Sequence, residues 1–554
     1  MKIDISKLGY RWRGIYQDGF NYVKGDVVRK DGKVMYHNGI QFLQMGVGQL
    51  NALTKGELLT PGSSQILTGV YGQELMSNAD GTLGYRWQEG RRSTSVIDIL
   101  NMDQADCYRW GGGGMMALMN DGTVRCWGRE NNGLGTGVDA DRSKSLPAVV
   151  GFPPDTPPIV KLKGGYWSYF AIDALGQLWA WGYNNYGQLG VGNNTNQMVP
   201  ALVNGKGDLP ANAVVTDVYV GTGYYGYVRN MIKTSDGKVY FMGHQNYYCA
   251  GTMTANANTN VPRLVLRSLD IEVDKVFLNA HYYASSWLID TDGRAWGAGQ
   301  ANRIGGIVLD NVDTKHTLWS PSMDNPVKTF KCEESDEHVN AGDQYYSQYM
   351  FIHTNGSVST WGNDAVYNNG TPIRPPNRTS AWDIMVDPRI DNAVDGLCTG
   401  GWYNTVQVLK ADGTLWAIGS GQDGSAYPTG FSSSWVQVGP DEITDGIKLF
   451  GGGARHGKAT GVLTATGQFY WFGMHGYGTG GYGQTTQNPP QPARLPAPIK
   501  DMQIMGWIDD ADAYVASYFL LEDGNLYSCG YNAQAQLGRD DDQEYASTPS
   551  PVIF

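Results

Sequence analysis

The chain has 554 residues, of which 41% are hydrophobic, 12% aromatic and only 17% charged. This composition supplies enough apolar material for a packed core and excludes a disordered or coiled-coil chain. The formal net charge of −12 would repel a phosphate backbone and an anionic membrane surface. We therefore expect neither nucleic acid nor a membrane as a partner, and no apolar stretch is long enough to span a bilayer.

The first predicted element is a small β module at residues 1–60. The segment WRGIYQDGFNYVKGDVVRKDGKVMYH (12–37) alternates short β segments with turns. Four of its aromatic residues are expected to form a small core and the attachment surface: Trp12, Tyr16, Tyr22 and Tyr36. The order of these residues resembles small β modules of phage tail fibres and of some chitin-binding modules, which implies an adaptor or attachment role. Residues 61–95 follow as a predicted linker or neck.

A hairpin signature then repeats eight times. A glycine, usually after Asp, is followed six residues later by a second glycine, with apolar residues on both sides. The glycine pairs are Gly122 and Gly128, Gly176 and Gly182, Gly237 and Gly243, Gly293 and Gly299, Gly356 and Gly362, Gly413 and Gly419, Gly467 and Gly473, and Gly524 and Gly530. Asp-Gly between two apolar strands predicts a hairpin turn, because both residues tolerate a positive φ. In the third copy Lys233 occupies an apolar position, and we expect a slip of one residue that gives this role to Ile232.

Each repeat has room for two more strands. Fragments in which Pro precedes apolar residues, such as LPAVV (146–150), VPALV (199–203) and VPRLV (261–265), predict one of them. A lone four-stranded sheet cannot bury its faces, whereas sheets stacked radially can, so residues 96–554 are predicted to form a β-propeller. The final residues STPSPVIF (547–554) carry the same strand signature and are expected to complete the first blade beside Val96–Ile99, closing the ring.

Two segments carry a specific family resemblance. GYNNYGQLG (182–190) and GYNAQAQLG (530–538), each directly after a hairpin, resemble the repeats of RCC1-like propellers. The resemblance covers residues 95–554 and implies an all-β, RCC1-like fold. Propellers of this family usually have seven blades, whereas eight hairpins are present here, so the prediction is seven or eight blades with a preference for eight.

The candidate binding site is a ring of aromatic pairs. Five repeats carry adjacent aromatic residues just before the first hairpin strand, and equivalent positions in a propeller fall on one rim. The pairs are Tyr166 and Trp167, Tyr224 and Tyr225, Tyr282 and Tyr283, Tyr345 and Tyr346, and Trp402 and Tyr403. Flat aromatic faces with polar edges suit sugar stacking or the anchoring of a protein partner. The alternative is that each pair is a structural wedge between neighbouring blades.

Catalytic chemistry is not predicted. The chain contains no GxSxG, HExxH or P-loop motif, so we expect no catalytic residue and no enzyme activity. The histidines and the six cysteines lack metal-ligand spacing, and we expect no metal and no cofactor. The cysteines are interpreted as buried, small apolar residues. The acidic segment at 509–513 is interpreted as a solvated loop, although Asp509, Asp510 and Asp512 would be the first candidates in an enzyme.

The leading functional interpretation is a non-enzymatic structural protein of a bacteriophage virion, as a tail fibre, appendage or capsid decoration component. The N-terminal module would bind other virion proteins, and the propeller would present a face to a host glycan or protein, with the chain as a homo-oligomer. One alternative is an RCC1-like regulatory propeller of the nucleotide-exchange type, which binds a protein partner. The other is a propeller enzyme that degrades surface glycans.

Overall fold

The structure is a computed structural model, and its chain divides into two compact units, Met1–Arg92 and Ser93–Phe554. The residues that the structure describes are 11–15, 26–30, 33–37, 42–44, 73–77, 83–87, 95–101, 113–129, 134–137, 143–165, 167–221, 228–244, 258–265, 268, 271–279, 285–300, 314–319, 325–334, 347–362, 384–399, 405–420, 431–439, 443–452, 459–473, 480–481, 492–508, 513–533, 535–539 and 543–554. Every described element is a β-strand, and none of the described segments is a helix that could cross a membrane.

The N-terminal unit contains a sheet of four strands in chain order, with the first two strands parallel, and a separate antiparallel hairpin. The strands are β1 (Arg11–Ile15), β2 (Asp26–Lys30), β3 (Lys33–His37), β4 (Phe42–Gln44), β5 (Gln73–Ser77) and β6 (Leu83–Trp87). The segment expected to be a linker thus contains the β5–β6 hairpin, and Asp80-Gly81, a pair that favours hairpin turns, lies between these strands in sequence.

Among the attachment residues of this unit, Trp12 lies in β1 and Tyr36 in β3, paired with Val27 of β2. Tyr16 and Tyr22 lie outside the described residues. For Trp12 and Tyr36 the structure describes the strand but not the side chain. The attachment role of these residues stays a prediction.

The second unit consists of eight antiparallel sheets, which are the blades of a propeller. The first strands are β7 (Val96–Asn101), β11 (Ile159–Gly165), β15 (Val215–Gly221), β19 (Val273–Asn279), β23 (Val327–Glu334), β27 (Ala393–Thr399), β31 (Gly446–Gly452) and β34 (Ile499–Ile508). The second strands are β8 (Gly113–Met119), β12 (Ser168–Asp173), β16 (Arg229–Thr234), β20 (Ser285–Asp290), β24 (Ser347–His353), β28 (Thr405–Lys410), β32 (Ala459–Thr464) and β35 (Ala513–Leu521).

The third strands complete the predicted hairpins. They are β9 (Val124–Arg129), β13 (Leu178–Gly182), β17 (Val239–Gly243), β21 (Ala295–Gln300), β25 (Val358–Gly362), β29 (Leu415–Ser420), β33 (Phe469–Gly473) and β36 (Leu526–Tyr531). The fourth strands are β10 (Ser143–Val149), β14 (Gln197–Leu202), β18 (Thr259–Leu264), β22 (Thr314–Trp319), β26 (Met385–Val386), β30 (Phe431–Val438) and β37 (Tyr545–Pro551). Blade 7 has three described strands, and its third strand makes one bridge to a further segment, between Tyr470 and Pro492.

The prediction of an all-β propeller is confirmed, with eight blades. The first strands of successive blades pack side by side at seven of the eight junctions, including that of blade 8 against that of blade 1. The hairpin of blade 3 keeps the common register, with Lys233 opposite Val239 as Ile172 is opposite Leu178 in blade 2. The expected slip is therefore wrong, because the Lys233 side chain reaches out to bond the next blade instead of entering the core.

The hairpin glycines connect neighbouring blades. In seven of the eight blades, the carbonyl of the turn glycine accepts a hydrogen bond of 2.7–3.2 Å from the first inner-strand residue of the next blade. The pairs are Gly122 and Ile159, Gly176 and Val215, Gly293 and Val327, Gly356 and Ala393, Gly413 and Gly446, Gly467 and Ile499, and Gly524 and Val96. These glycines have positive φ, and a Cβ there would overlap the next blade, as at Gly122, where it would collide with Pro158. The exception is Gly237, where a Cβ would meet nothing within 4 Å.

Lysine side chains add a second connection near the start of five inner strands. The inner strand of every blade carries a register irregularity between its first and third residues. Five of these intervening residues accept a lysine hydrogen bond at their carbonyl: Lys161 to Thr216, Lys233 to Asp274, Lys275 to Lys328, Lys328 to Val394, and Lys500 to Ile97. The irregular residue therefore turns its carbonyl toward the neighbouring blade.

The last strand differs from the expectation. β37 pairs with β36 of its own blade 8, with Tyr527 opposite Pro551, and does not lie beside Val96–Ile99. That expectation is wrong, because blade 1 already has four strands from its own repeat. The seam between blades 8 and 1 is instead joined by the hydrogen bond from Val96 N to Gly524 O, and by the contact of Phe554 with Trp127.

Bulky aromatic residues fill the spaces between blades. Trp127 is fully buried and donates from Nε1 to the carbonyl of Gln536 in blade 8 at 2.8 Å. Trp361 of blade 5 lies 5.8 Å from Trp287 of blade 4, edge to face. The cysteines Cys126, Cys398 and Cys529 are buried, and burial raises the pKa of the Cys529 thiol to about 12. This confirms the interpretation of these three as small apolar residues; the side chains of the other three lie outside the described residues.

Candidate interaction site

Each blade has two ends, which carry different connections. The hairpin rim carries the turns between second and third strands and the entries of the inner strands. The loop rim carries the connections between first and second and between third and fourth strands. Several hairpin turns bear an aspartate: Asp121, Asp236, Asp292, Asp412 and Asp523.

Of the ten aromatic residues predicted for the loop rim, the structure describes Trp167. The other nine lie outside the described residues: Tyr166, Tyr224, Tyr225, Tyr282, Tyr283, Tyr345, Tyr346, Trp402 and Tyr403. A ring of pairs around the whole rim therefore stays a prediction. Trp167 is half-buried at the start of the second strand of blade 2, which is the position that the repeat pattern indicates.

Trp167 begins a line of rings that crosses from blade 2 to blade 3, which we call the aromatic run. Its ring centroid lies 5.8 Å from that of Tyr183, with an interplanar angle of 79°. Tyr183 lies 6.4 Å from Tyr186 at 65°, and Tyr186 lies 5.2 Å from His244 of blade 3 at 83°. The first three residues are half-buried and His244 is buried. The rings meet edge to face, which is the favourable arrangement for aromatic pairs.

The backbone below Trp167 is held in an uncommon conformation. Trp167 has a φ of +62°, in the left-handed region that bulky residues rarely adopt. Its carbonyl accepts a hydrogen bond from the amide of Tyr183 at 2.6 Å, and the Ser168 hydroxyl donates to the Tyr183 carbonyl at 3.0 Å. Gly182 permits this approach, since a Cβ there would overlap the Trp167 carbonyl. Such local strain costs on the order of 1–3 kcal/mol and is concentrated at functional sites.

The loop after Tyr183 is fixed by buried side-chain amides. Asn184 Nδ2 donates to the carbonyls of Asn193 and Thr195, and its Oδ1 accepts from the Leu189 amide. Gln188 Oε1 accepts from the Tyr186 amide at 3.0 Å. Tyr186 is thereby held in position by its backbone. Asn532 of blade 8 bonds in the same way to Leu537 N.

The same loop joins blade 2 to blade 3. Asn230 Nδ2 of blade 3 donates to the Gln188 carbonyl at 2.8 Å, and the Gly192 amide donates to the carbonyl of Asn260 in the fourth strand of blade 3. The loop thus covers the outer edge of the neighbouring sheet, which otherwise would present unpaired backbone groups. The aromatic run rests on this rigid support.

The segments that carry the aromatic run contain no Asp, Glu, Lys or Arg, and the nearby charge is that of the buried Arg229 beside His244. No residue from Ala174 to Gly205 is Asp, Glu, Lys, Arg or His. In blade 3, segments 218–228 and 239–262 contain no Asp, Glu, Lys or Arg. Partial burial raises the pKa of the Tyr183 hydroxyl, so this group remains protonated and a hydrogen-bond donor. Burial and then the charge of Arg229 lower the pKa of His244 to about 4, so its ring is neutral at pH 7.

Sequence reasoning found Trp167 but missed Tyr183, Tyr186 and His244. The signal for the two tyrosines was present in GYNNYGQLG, which was used only to identify the repeat. His244 follows the second hairpin glycine of blade 3, and its contact with Tyr186 depends on packing between blades.

The predicted absence of a metal site and the acidic candidates can be compared with the described residues only. Among them, no group of three or more His, Cys, Asp or Glu residues is placed to hold a metal ion. The acidic candidates Asp509, Asp510 and Asp512 lie outside the described residues.

Comparison with known families identifies the repeat. Two models of the regulator of chromosome condensation (RCC1) repeat match residues 159–188 and 176–225, a region that includes Trp167, Tyr183 and Tyr186. The matches lie on blade 2 and the start of blade 3. The chain therefore carries RCC1 repeats at the place where the aromatic run lies.

Similar proteins come from several eukaryotes. The human E3 ubiquitin-protein ligase HERC2 is 28% identical over 266 residues, which are 47% of this chain and 5% of HERC2. The mitochondrial RCC1 domain-containing protein RUG3 of Arabidopsis thaliana is 28% identical over 189 residues, 33% of this chain and 40% of RUG3. The X-linked retinitis pigmentosa GTPase regulator homolog of Caenorhabditis elegans is 31% identical over 191 residues, 33% of this chain and 12% of that protein. This chain thus matches less than half the length of each of these relatives.

Two solved structures are also similar. Human WBSCR16 is 16% identical with a TM-score of 0.48, covering 69% of this chain and 96% of that one. Yeast RCC1 (Prp20), in its complex with Kap60, is 16% identical with a TM-score of 0.45, covering 78% and 84%.

Proposed function

We propose that this protein is an RCC1-like protein-interaction propeller, which acts by binding a protein partner and not by turnover. The loop rim of blades 2 and 3 would be the contact surface. The observation that carries this proposal is the aromatic run, in which the half-buried rings of Tyr183 and Tyr186 lie on a rigid loop beside the half-buried, strained Trp167. Aromatic residues on a preorganised support are typical anchors of protein interfaces.

A site-specific cross-linking experiment tests the proposal. A photo-reactive amino acid would replace Asn185, which is exposed beside Tyr183, and in a matched control Leu175, which is 50% exposed on the hairpin rim of the same blade. We expect a discrete protein cross-link from position 185 and none from position 175, in cells of the source organism. The partner would then be purified and its affinity measured by calorimetry.

The affinity measurement uses the aromatic run directly. Replacing both Tyr183 and Tyr186 by Ala should weaken the affinity for the partner at least about tenfold, as expected for interface anchors. The proposal is wrong if cross-links form equally from both rims, or if the double variant binds the purified partner as tightly as the original chain.

The virion interpretation stays a prediction. The relatives reported above are eukaryotic RCC1-like proteins, and they favour the protein-interaction alternative over a tail-fibre or capsid role. Mass spectrometry of purified virus particles from the source would decide it. A fixed copy number per particle would restore the virion role and the attachment function of the N-terminal module, whereas absence from particles would remove both.

A further inference from the structure

We infer that the aromatic run binds an uncharged, proline-rich segment of a partner protein in the polyproline II conformation. This inference rests on the proposed function and names the chemistry of the partner. It concerns Trp167, Tyr183 and Tyr186, whose rings form successive edge-to-face pairs on the loop rim.

The charge of the rim restricts the partner. The chain as a whole carries a formal charge of −12, yet residues 174–205 contain no Asp, Glu, Lys, Arg or His. A charged side chain brought against Trp167, Tyr183 and Tyr186 would lose water without a countercharge from this segment, which is unfavourable. The complementary ligand is therefore a segment without charge, such as one of proline and small residues.

The ring geometry fits polyproline II. Interplanar angles of 79° and 65° turn the ring of Tyr183 steeply against both of its neighbours, so the three rings form an angled surface and not the single flat platform on which a sugar ring stacks. The centroid separations of 5.8 and 6.4 Å set the greatest possible distance from the Trp167 ring to the Tyr186 ring. One turn of polyproline II has three residues with a rise of about 3.1 Å each, so the three rings can contact little more than one turn. Aromatic-lined grooves of this kind take prolines because the polyproline II helix is already ordered before binding.

Tyr183 supplies the hydrogen bond that such a ligand needs. A polyproline II backbone makes no internal hydrogen bonds and leaves its carbonyls free to accept. The Tyr183 hydroxyl accepts a hydrogen bond from Asn185 Nδ2 at 3.0 Å, which orients the oxygen and leaves its own hydrogen for a ligand carbonyl. Tyr183 would thus both pack against a proline and fix the register of the segment.

The test is binding of a fluorescent decaproline peptide to the full chain, followed by anisotropy. We expect saturable binding that weakens at least tenfold in Tyr183→Ala and about threefold to tenfold in Tyr183→Phe, which keeps the ring and removes the donor. The matched control is Tyr545→Ala, since Tyr545 is 45% exposed on the outer strand of blade 8. The affinity of this variant for decaproline should equal that of the original chain. Asn185→Trp, a bulky replacement at an exposed position, should block the site without disturbing the fold.

Each other outcome overturns the inference. Absence of saturable decaproline binding does so, as does equal binding by the Tyr183 variants, by Asn185→Trp and by the original chain. Binding of an uncharged oligosaccharide such as cellohexaose, lost in Tyr183→Ala while decaproline fails to bind, would assign the rim to glycans instead. If decaproline fails but position 185 still cross-links to a protein, the inference alone is wrong and the proposed protein-interaction function stands.

Discussion

His244 lies at the loop rim of blade 3 with 7% of its surface exposed, and burial followed by the Arg229 charge lowers its pKa to about 4. In the unfolded chain the pKa is ordinary, near 6.5. Between these values the unfolded state binds more protons, so the stability that neutral His244 permits is complete above pH 6.5 and is lost as the pH falls toward 4. Lowering the pKa from 6.5 to about 4 corresponds to a free energy on the order of 3 kcal/mol.

We expect His244→Gln to reduce the loss of stability between pH 7.5 and pH 5, measured as the shift in urea midpoint. The original chain at the same two pH values is the reference. An equal shift in both proteins would mean that another group controls the acid sensitivity.

Asp387 and Asp98 are two partly or fully buried carboxylates with opposite pKa shifts. Burial alone would raise the pKa of Asp387, but hydrogen bonds from Arg389, at 2.7 and 2.8 Å, and from Trp435 outweigh it and lower the pKa. Burial, and then the nearby charge of Asp501, raise the pKa of Asp98. The Asp387 contribution to stability is present above its unfolded pKa and is lost as the pH falls through the lowered value, whereas for Asp98 acidification relieves an unfavourable charge.

We therefore expect Asp387→Asn to cost about 2–4 kcal/mol at pH 7, since it breaks the ion pair of the buried Asp387 with the half-buried Arg389, in the segment that follows β26, and weakens the hydrogen bond from Trp435 of blade 6. Asp98→Asn should be neutral or stabilising at the same pH. Denaturant unfolding of the two variants in parallel tests the pair, and a loss of stability in Asp98→Asn equal to that in Asp387→Asn would contradict the assignment.

At the scale of the hairpin, the turn glycine combines a positive φ with contact to the next blade. Gly122 has a φ of +79°, its carbonyl accepts from Ile159 N at 3.0 Å, and a Cβ would collide with Pro158. Gly237 has nearly the same φ, +80°, but a Cβ there would meet nothing within 4 Å. Gly237→Ala should therefore cost only the left-handed strain, roughly 1–2 kcal/mol.

Gly122→Ala should cost clearly more than Gly237→Ala, because the added methyl group also separates blades 1 and 2. Melting temperatures of the two variants give the comparison. Equal temperatures would show that the turn glycines serve the hairpin alone and do not position the next blade.

The hairpins could be predicted from sequence because they are local: Asp-Gly, the apolar residues around it and the second glycine all lie within one short segment. The contacts between blades could not be predicted, because they join residues that are far apart in sequence. Lys233 appeared to break the pattern, and only the neighbouring Asp274 carbonyl shows where its side chain goes. The last strand was assigned to the wrong blade because its sequence fits the outer edge of either sheet at the seam. In the site, Trp167 was found from its repeat position, whereas the Tyr186–His244 contact requires two blades.

Asp395 shows how one inner strand holds its neighbours. Its carboxylate pairs with Lys331 of blade 5 at 2.7 Å and accepts from the Leu449 amide of blade 7 at 2.9 Å, so three consecutive blades meet at one side chain. We expect Asp395→Ala to cost about 1–3 kcal/mol, because the Leu449 amide loses its partner.

The matched variant for Asp395 is Asp236→Ala, which removes an exposed ion pair with Lys238 inside one blade. Such surface pairs contribute about 0–1 kcal/mol. Chemical denaturation of both variants would measure the loss of unfolding free energy in each. Similar losses would mean that Asp395 stabilises the protein through its charge alone and not through its position between blades.

At the scale of the whole molecule, the ring must be closed without a strand shared between its ends. The contacts that join blade 8 to blade 1 include Val96 N to Gly524 O at 2.9 Å, Lys500 Nζ to Ile97 O at 3.4 Å, Trp127 Nε1 to Gln536 O at 2.8 Å, and the Phe554 ring at 5.9 Å from Trp127. The first is repeated at six of the seven other junctions. The two contacts of Trp127 are made by the hairpin of blade 1 with segments that follow the hairpin of blade 8. The seam is thus an ordinary junction reinforced by the end of the chain.

This arrangement predicts that Phe554 limits the opening of the seam. Phe554→Ala removes an aromatic contact worth about 1–2 kcal/mol at this junction, and every 1.4 kcal/mol corresponds to a tenfold change in an opening equilibrium. Hydrogen exchange of the Val96 amide, which spans the seam, should therefore accelerate roughly tenfold, while that of the Val327 amide at the junction of blades 4 and 5 should not change. Ile553→Ala is the matched control, because Ile553 is 54% exposed and adjacent in sequence. Equal acceleration at Val96 and Val327 would mean that the ring opens as a whole, and no acceleration would mean that the Val96 and Trp127 hydrogen bonds hold the seam without the terminal residue.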